Sequence, residues 1–189
     1  MNSSYARRIL RSIHDIKTTG RCVPMVFDPD DETFPTFGYS IGNSRLGEMP
    51  VEFICFYPGS CAGHVINRLA DDFLEKPDTL RSVLNVEISC GHGFLDSGCD
   101  LLIRPIRGVA QEIATDKYAA QLDEPAFSPY VRPHTLLQVI LPDPTNAFPG
   151  EDDFDQTLAD AIPEFLSVSA EDMDKVEFEF VASDSQDQS

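Results

Sequence analysis

The stretch HTLLQVILP, residues 134 to 142, is the part of the chain that most clearly predicts a β-strand. Leucine, valine and isoleucine dominate it, and the turn formers PDPTNAFPG end it. Working outward from this strand, apolar or alternating runs predict five more: CVPMVF (22–27), TFGYSI (36–41), VEFICFY (51–57), NVEIS (85–89) and CDLLIRPI (99–106). So many strands in one chain place a sheet at the centre of the fold.

Helices are predicted at three places between these strands. The first spans residues 4–18, with Ile9, Ile13 and Ile16 on one face. The second is CAGHVINRLADDFLE, stopped at Pro77 and followed by a short link over 78–84. The third lies within 108–121. Because helices and strands do not alternate strictly, we expect an α+β fold, with a mixed or mainly antiparallel sheet and helices packed on it.

The composition divides the chain into a domain and an acidic extension. Residues 1–150, including the N-terminal helix 4–18, are expected to form one α+β domain. Residues 151–182 are expected to be a partly ordered extension with a short helix in FDQTLADAIPEFL and an edge strand at VEFEF, residues 176–180. The last residues, 183–189, are expected to be disordered.

The net charge of −18 is unevenly distributed. Residues 145–189 carry 13 acids and one base, whereas residues 1–21 carry five bases and one acid. This charge repels phosphate backbones, so we expect no direct nucleic-acid binding. It suits a protein partner with a basic surface, although the same charge is also explained if it only keeps the protein soluble.

The remaining sequence signals indicate a cytoplasmic protein. No apolar run approaches the length of a membrane span, and charges interrupt the N-terminus too often for a signal peptide. The five cysteines are odd in number and form no C-x-x-C pair, which is typical of free thiols. No cofactor motif is present, and we expect no cofactor and no membrane partner.

One motif raises the possibility of catalysis: GYSIG, residues 38–42, matches the G-x-S-x-G pattern of serine hydrolases, with Ser40 as the nucleophile. His134 and Asp100 would complete a triad. However, the alternation in TFGYSI predicts a strand, and NSRLGEMP does not supply the helix that a nucleophile elbow requires. An enzyme is therefore less expected than a binding protein.

A second set of residues has the chemistry of a zinc site. Cys61 and His64 are spaced to lie within one helical turn, and Cys90 and His92 sit near a glycine-rich loop that can fold toward them. Neither half has a standard zinc-finger spacing. A buried cysteine and a surface histidine explain the pattern as well, so we expect no metal.

Three segments, taken in order, resemble a known family. FGYSIG resembles the Tyr-Thr-x-Gly segment of the bacterial domain-of-unknown-function family 4262. VEFICFY and the helix with VINRLA are similar to its His-Pro-Glu-Leu strand and Leu-Leu-Asn-x-Leu helix. LLQVILPDPTNAFPG is similar to its Ala-Leu-Gln strand, Pro-Asp turn and Phe-Pro. The resemblance covers residues 22–152, with Pro50-Val51 where the family has His-Pro and Leu141 where it often has tryptophan.

The resemblance implies a fold and, for function, only a set of positions. If the family has a pocket, its lining residues would be Tyr39, Ser40, Glu52, Gln138 and Asp143, whose mixed polar groups on neighbouring strands suit a small molecule. In the alternative interpretation, Asp143 bonds its own turn, Gln138 pairs with an edge backbone and Glu52 points to solvent.

Three functions follow as expectations, in decreasing order. The first is an acidic cytosolic binding protein that acts through a protein partner, as an inhibitor or adaptor in bacterial or phage biology. The second is a small hydrolase or ligand-modifying enzyme with its site around Ser40, Glu52 and Gln138. The third is a binder of a small nucleotide-like metabolite.

Overall fold

A mixed six-stranded sheet forms the centre of the molecule in the computed structural model, which describes residues 3–27, 30, 35–56, 61–85, 88–90, 101–149 and 151–159. The strands are β1 (Met25–Val26), β2 (Phe37–Tyr39), β3 (Val51–Phe56), β4 (Ile88–Cys90), β5 (Leu101–Ile106) and β6 (Thr135–Ile140). The helices are α1 (Ser3–Thr19), α2 (Cys61–Glu75), α3 (Pro77–Asn85), α4 (Gly108–Tyr118) and α5 (Gln156–Ala159). The expected α+β class is confirmed.

The strand order across the sheet is β1-β2-β3-β6-β5-β4. β3 and β6 pair in parallel at the centre, and every other neighbouring pair is antiparallel. All six residues of β3 are buried, as expected for a central strand covered on both faces. The stretch around residues 134–142, with which the sequence analysis began, therefore lies beside the middle of the sheet.

Each face of the sheet carries its own apolar core. One face packs against α2 and α3, with Phe53 and Val139 from the sheet meeting Leu69 from α2. The other face packs against α1 and α4, with Phe37 and Ile54 meeting Ile9. Because successive strand residues point to opposite faces, a single strand such as β3 contributes to both cores.

The link expected over residues 78–84 is wrong, because these residues belong to α3. Pro77 ends α2, as predicted, but it also occupies the first position of the next helix. Proline is well suited to that position, since the first turn of a helix leaves its N–H groups without intrahelical partners. From the sequence, Pro77 predicts only the end of α2, and this second role was not predicted.

The strand expected over residues 22–27 is shorter than predicted. Only Met25–Val26 pairs regularly with β2, and Cys22 forms an isolated bridge with Ile41. Pro24 lies between them and has no N–H to donate to β2, which interrupts regular pairing at that position. β1 lies at one edge of the sheet.

Several expectations fall on residues outside the described ranges. These include the VEFEF strand at residues 176–180, the glycine-rich loop at 91–98 and the tail 183–189. Within the described ranges, no helix is both long and apolar enough to cross a lipid bilayer.

Candidate functional site

Ser40 and Glu52 form a hydrogen-bonded pair inside the sheet. The Ser40 hydroxyl donates to Glu52 Oε2 at 2.5 Å and accepts from the backbone N–H of Phe53 at 2.8 Å. Ser40 follows β2 and Glu52 lies on β3, so the pair joins the two strands where their regular ladder ends. Both residues are fully buried. The Ser40 hydroxyl therefore makes one donor and one acceptor contact within the protein.

The other oxygen of Glu52 is bound by the backbone. Its Oε1 accepts N–H groups from Gly42 at 3.1 Å and from Ser44 at 2.9 Å. The chain turns toward Glu52 because Gly42 adopts φ 100°, in the left-handed region where glycine is the least strained residue. A 3₁₀ turn over Asn43–Arg45 follows. Counting the Ser40 hydroxyl, three donors hold this carboxylate.

Burial raises the pKa of the Glu52 carboxyl above its ordinary value, and the hydrogen bonds from Ser40 and Ser44 partly oppose that rise. The charge interaction with His134 also lowers it. The His134 Nδ1 donates to the carbonyl of Arg132 at 3.0 Å, since a carbonyl can only accept. Its Nε2 is buried and has no hydrogen-bond partner among the described residues.

The arrangement of these groups differs from that of a catalytic triad. In a triad the imidazole contacts the serine and the acid orients the imidazole. Here the serine hydroxyl bonds directly to the carboxylate, and its oxygen is fully buried. The proposed partner Asp100 lies outside the described residues. The geometry of Ser40 is that of an internal brace between strands.

Tyr39, Glu52 and Gln138 share one face of the sheet. In the strand register Tyr39 lies opposite Ile54, and Ile54 lies opposite Gln138, so their side chains point the same way. Glu52 is two residues from Ile54 and joins them. All three are buried on the side that packs against α1 and α4. Burial raises the pKa of the Tyr39 hydroxyl.

Asp143 lies apart from this group, in the turn after β6. Its Oδ1 accepts from the N–H and hydroxyl of Thr145 and from the N–H of Ala147 at 2.7–3.0 Å. Its Oδ2 accepts the N–H of Asp155 at 2.8 Å. The bond from the Thr145 hydroxyl, with those from the backbone, lowers the pKa of Asp143 to about 2. Asp143 thus organises the turn and attaches residues 151–159 to the sheet.

A groove of about 1190 Å³ runs along the outer side of β1. Its floor is the edge segment Val23–Phe27, with Tyr39 beneath. One wall is α1, which presents Arg8 and Arg11, and the other is α2, which presents Asn67 and Asp71. Because α1 and α2 cover opposite faces of the sheet, the groove opens directly onto its edge.

The backbone of this edge faces the groove at alternate residues. Cys22 exchanges two backbone hydrogen bonds with Ile41, and the carbonyl of Pro24 accepts the N–H of Tyr39. The backbone polar groups of Cys22 and Pro24 therefore point inward, toward β2. By strand alternation, the N–H and C=O groups of Val23, Met25 and Phe27 point outward. No described strand pairs with this side of β1. In the described part of the chain, the edge is therefore open to a further strand.

Arg21 closes one end of the groove. Its buried guanidinium bonds to Asn67 Oδ1 at 3.2 Å and to Asn43 Oδ1 at 3.3 Å, and it forms an ion pair with Asp71. These contacts tie the start of β1 to α2 and to the 3₁₀ turn below Glu52. With the charge of Arg21 engaged by Asp71, the other cations that line the groove, Arg8 and Arg11, belong to α1.

The proposed zinc ligands are only partly described. Cys61 begins α2 half-buried and His64 is exposed on the same helix. The side chain of Cys90 and the whole of His92 lie outside the described residues. Among the residues that are described, no group of three or more potential ligands is close enough to hold a metal ion.

The sequence analysis missed the groove itself. Its arginines counted only toward the basic charge of residues 1–21, Asn67 appeared only within VINRLA, and Asp71 carried no motif. What joins them is the strand order, since β1 lies at the edge and α1 and α2 flank it on opposite faces. The useful signal in the sequence was Pro24, which favours an edge strand.

Comparison with known proteins gives one match. The model of the family described as "Domain of unknown function (DUF4262)" matches residues 15–155, which is well over half of the chain. No curated protein and no solved structure matches the chain.

Proposed function

The chain belongs to the DUF4262 family, and since that description states no activity, we propose a function from the geometry: the protein binds a partner protein. The partner lays an extended segment into the groove beside β1, where its backbone pairs with the sheet edge. The observation that carries this proposal is the open edge of Val23–Phe27 between two helical walls.

The edge offers both parts of strand recognition. Outward N–H and C=O groups at Val23, Met25 and Phe27 supply the main-chain hydrogen bonds that give affinity in strand addition. Phe27 supplies an apolar contact, since its side chain is 64% exposed. A large aromatic side chain at an open sheet edge is a natural anchor for a partner residue.

The buried pair at Ser40 supports binding over hydrolysis. A nucleophile must reach a substrate carbonyl, whereas the Ser40 hydroxyl is enclosed and bonded to Glu52 and Phe53. The groove reaches Tyr39 but does not include Ser40 or Glu52. We therefore place the functional surface at the edge of β1.

The acidic residues of the C-terminal part of the chain provide a second contact with the partner. We propose that the same partner has a basic surface, which meets the acids of residues 145–189 while its extended segment occupies the groove. We also propose a cytoplasmic location, since the buried Cys22 and Cys55 are free thiols and such thiols persist in reducing compartments.

The test compares two exposed apolar residues in the full chain. Phe27→Asp places a charge at the groove, and Ile113→Asp places the same charge on α4, where Ile113 is 38% exposed. Proteins captured from the native host by the wild type are purified and their affinities measured. We expect Phe27→Asp to weaken binding about tenfold or more, corresponding to about 1.4 kcal/mol, and Ile113→Asp to leave it unchanged.

Equal binding by both variants would place the partner elsewhere on the molecule. Salt provides the second measurement, because a basic partner surface held by the acidic residues should bind less tightly as ionic strength rises.

A further inference from the structure

We propose that residues 176–180 of this chain, VEFEF, occupy the groove in the free protein as an additional strand beside β1. This inference rests on the proposed function, because it gives the partner's groove an internal competitor. The occupant of the groove is the chain's own acidic C-terminal segment, and three independent features support this assignment.

The first feature is the alternation within the segment itself. Val176, Phe178 and Phe180 alternate with Glu177 and Glu179, so in a strand the apolar side chains share one face and the glutamates the other. This pattern suits an edge position where one face is apolar and the other charged.

The second feature is that the groove has the same two-sided character. The side chains of Val23 and Met25 pack with the core on the α2 side, and Phe27 follows with the same orientation. The α1 side presents Arg8 and Arg11, both exposed. A strand with apolar residues toward α2 would cover Phe27 and would direct its glutamates toward the arginines.

The charges on α1 lack carboxylate partners in the described part of the chain. The ion pairs found there involve Arg21, Arg68 and Arg81, and none involves Arg8 or Arg11. Asp15 is the acid of α1 that also lines the groove. Two arginines without an ion pair among the described residues, in a protein of net charge −18, form a site that complements a segment with two glutamates.

The third feature is reach. Val139, Cys55, Gly38 and Met25 lie in one row across the sheet, so the carboxyl end of β6 is at the Phe27 end of β1. Crossing from β6 to a strand outside β1 requires four strand spacings, about 19 Å. The 17 residues from Ala159 to Val176 span up to about 56 Å when extended. The linker is therefore long enough for the segment to reach the outer side of β1.

The consequence is a self-occupied binding site. A partner segment must displace residues 176–180 before it can pair with β1, which lowers its apparent affinity by the fraction of molecules with an open groove. A partner with a basic surface would promote this exchange, because it competes with Arg8 and Arg11 for the glutamates.

Hydrogen exchange on the full chain tests the proposal. In the wild type, we expect amides within 176–180 to exchange about tenfold or more slowly than an unstructured peptide, as paired strand amides do. Glu177→Lys with Glu179→Lys should remove this protection. Asp172→Lys with Asp174→Lys, which makes the same charge change outside the strand, should retain it.

A charge exchange makes the test specific. Arg8→Glu with Arg11→Glu should also remove the protection, and combining it with the two lysine substitutions at 177 and 179 should restore it. Amides of α2 serve as the reference for folding in every variant. Restoration in the combined variant identifies the arginines as the contact.

Three outcomes would overturn the proposal: unprotected amides at 176–180 in the wild type, no restoration in the combined variant, or protection that increases with protein concentration. The last would mean that the segment of a second copy occupies the groove. Each leaves the proposed function standing if Phe27→Asp still weakens partner binding. Loss of that dependence would reject the proposed function whatever the tail does.

Discussion

The hydroxyl of Ser40 and the carboxylate of Glu52 lie 2.5 Å apart at the point where β2 leaves β3. The Ser40 N–H still donates to the Phe53 carbonyl as in a regular ladder, but the Phe53 N–H donates to the Ser40 hydroxyl and the N–H groups of Gly42 and Ser44 donate to Glu52. A motif typical of hydrolases thus acts in this fold as a strand connection.

Removing the Ser40 hydroxyl should destabilise the fold. Ser40→Ala leaves the buried N–H of Phe53 and one oxygen of Glu52 without a partner, at a cost of about 2–4 kcal/mol. Ser40→Thr retains the hydroxyl, as the threonine of the Tyr-Thr-x-Gly segment does, and should cost less. Urea unfolding measures both, and an alanine variant as stable as the threonine variant would contradict this role.

The Glu52 carboxyl should make stability decline with rising pH. Its pKa is raised by burial, so above the unfolded-state value, about 4.3, the native protein binds more protons than the unfolded chain. The free energy of unfolding then falls until pH passes the folded pKa. The contributions of the other carboxyls cancel when the wild type is compared with Glu52→Gln. The free energy of unfolding of the wild type should fall relative to that of this variant as pH rises. A relative gain would contradict the raised pKa.

Asp143 should have the opposite dependence. Its pKa is lowered to about 2, so its contribution to stability is complete above about pH 4 and is lost as pH falls toward 2. Asp143→Asn turns an amide toward the donor N–H of Asp155, or toward those of Thr145 and Ala147, and should be less stable at neutral pH. The difference between the two proteins should shrink on acidification, as acid unfolding curves would show.

Alanine substitutions at two glycines, Gly42 and Gly63, test the backbone strain at Gly42. Gly42→Ala forces an alanine to φ 100° with its Cβ 3.0 Å from the carbonyl of Gly20, and should cost about 1–3 kcal/mol. Gly63 lies inside α2, where an added Cβ meets only the sulfur of Met25 at 3.5 Å. Gly63→Ala should stabilise the protein by roughly 0.5–1 kcal/mol. Thermal unfolding would distinguish them, and two equal shifts would contradict the strain at Gly42.

The strands of the sheet could be predicted because their side chains carry the signal. Apolar runs at 51–57 and 134–142 indicated strands, and the strand order places them side by side at the centre of the sheet. The resemblance to the DUF4262 family is confirmed over residues 15–155. The helix α3 could not be predicted from Pro77 alone, since proline both ends one helix and begins another.

The candidate site was less predictable because backbone groups and strand order define it. The donors to Glu52 include N–H groups of Gly42 and Ser44, which no residue pattern reveals. The groove exists because β1 is last in the strand order, a property of the whole fold. Sequence reasoning named Tyr39, which lies at the groove, but had no means to connect it with Arg8 on α1.

Amide exchange at the edge of β1 in the presence of a purified partner tests the central claim most directly. If the partner pairs with this edge, the outward amides of Val23, Met25 and Phe27 should exchange about tenfold or more slowly in the complex, while exposed amides of α4 remain unchanged. Unchanged exchange at these three residues in a saturated complex would contradict the account.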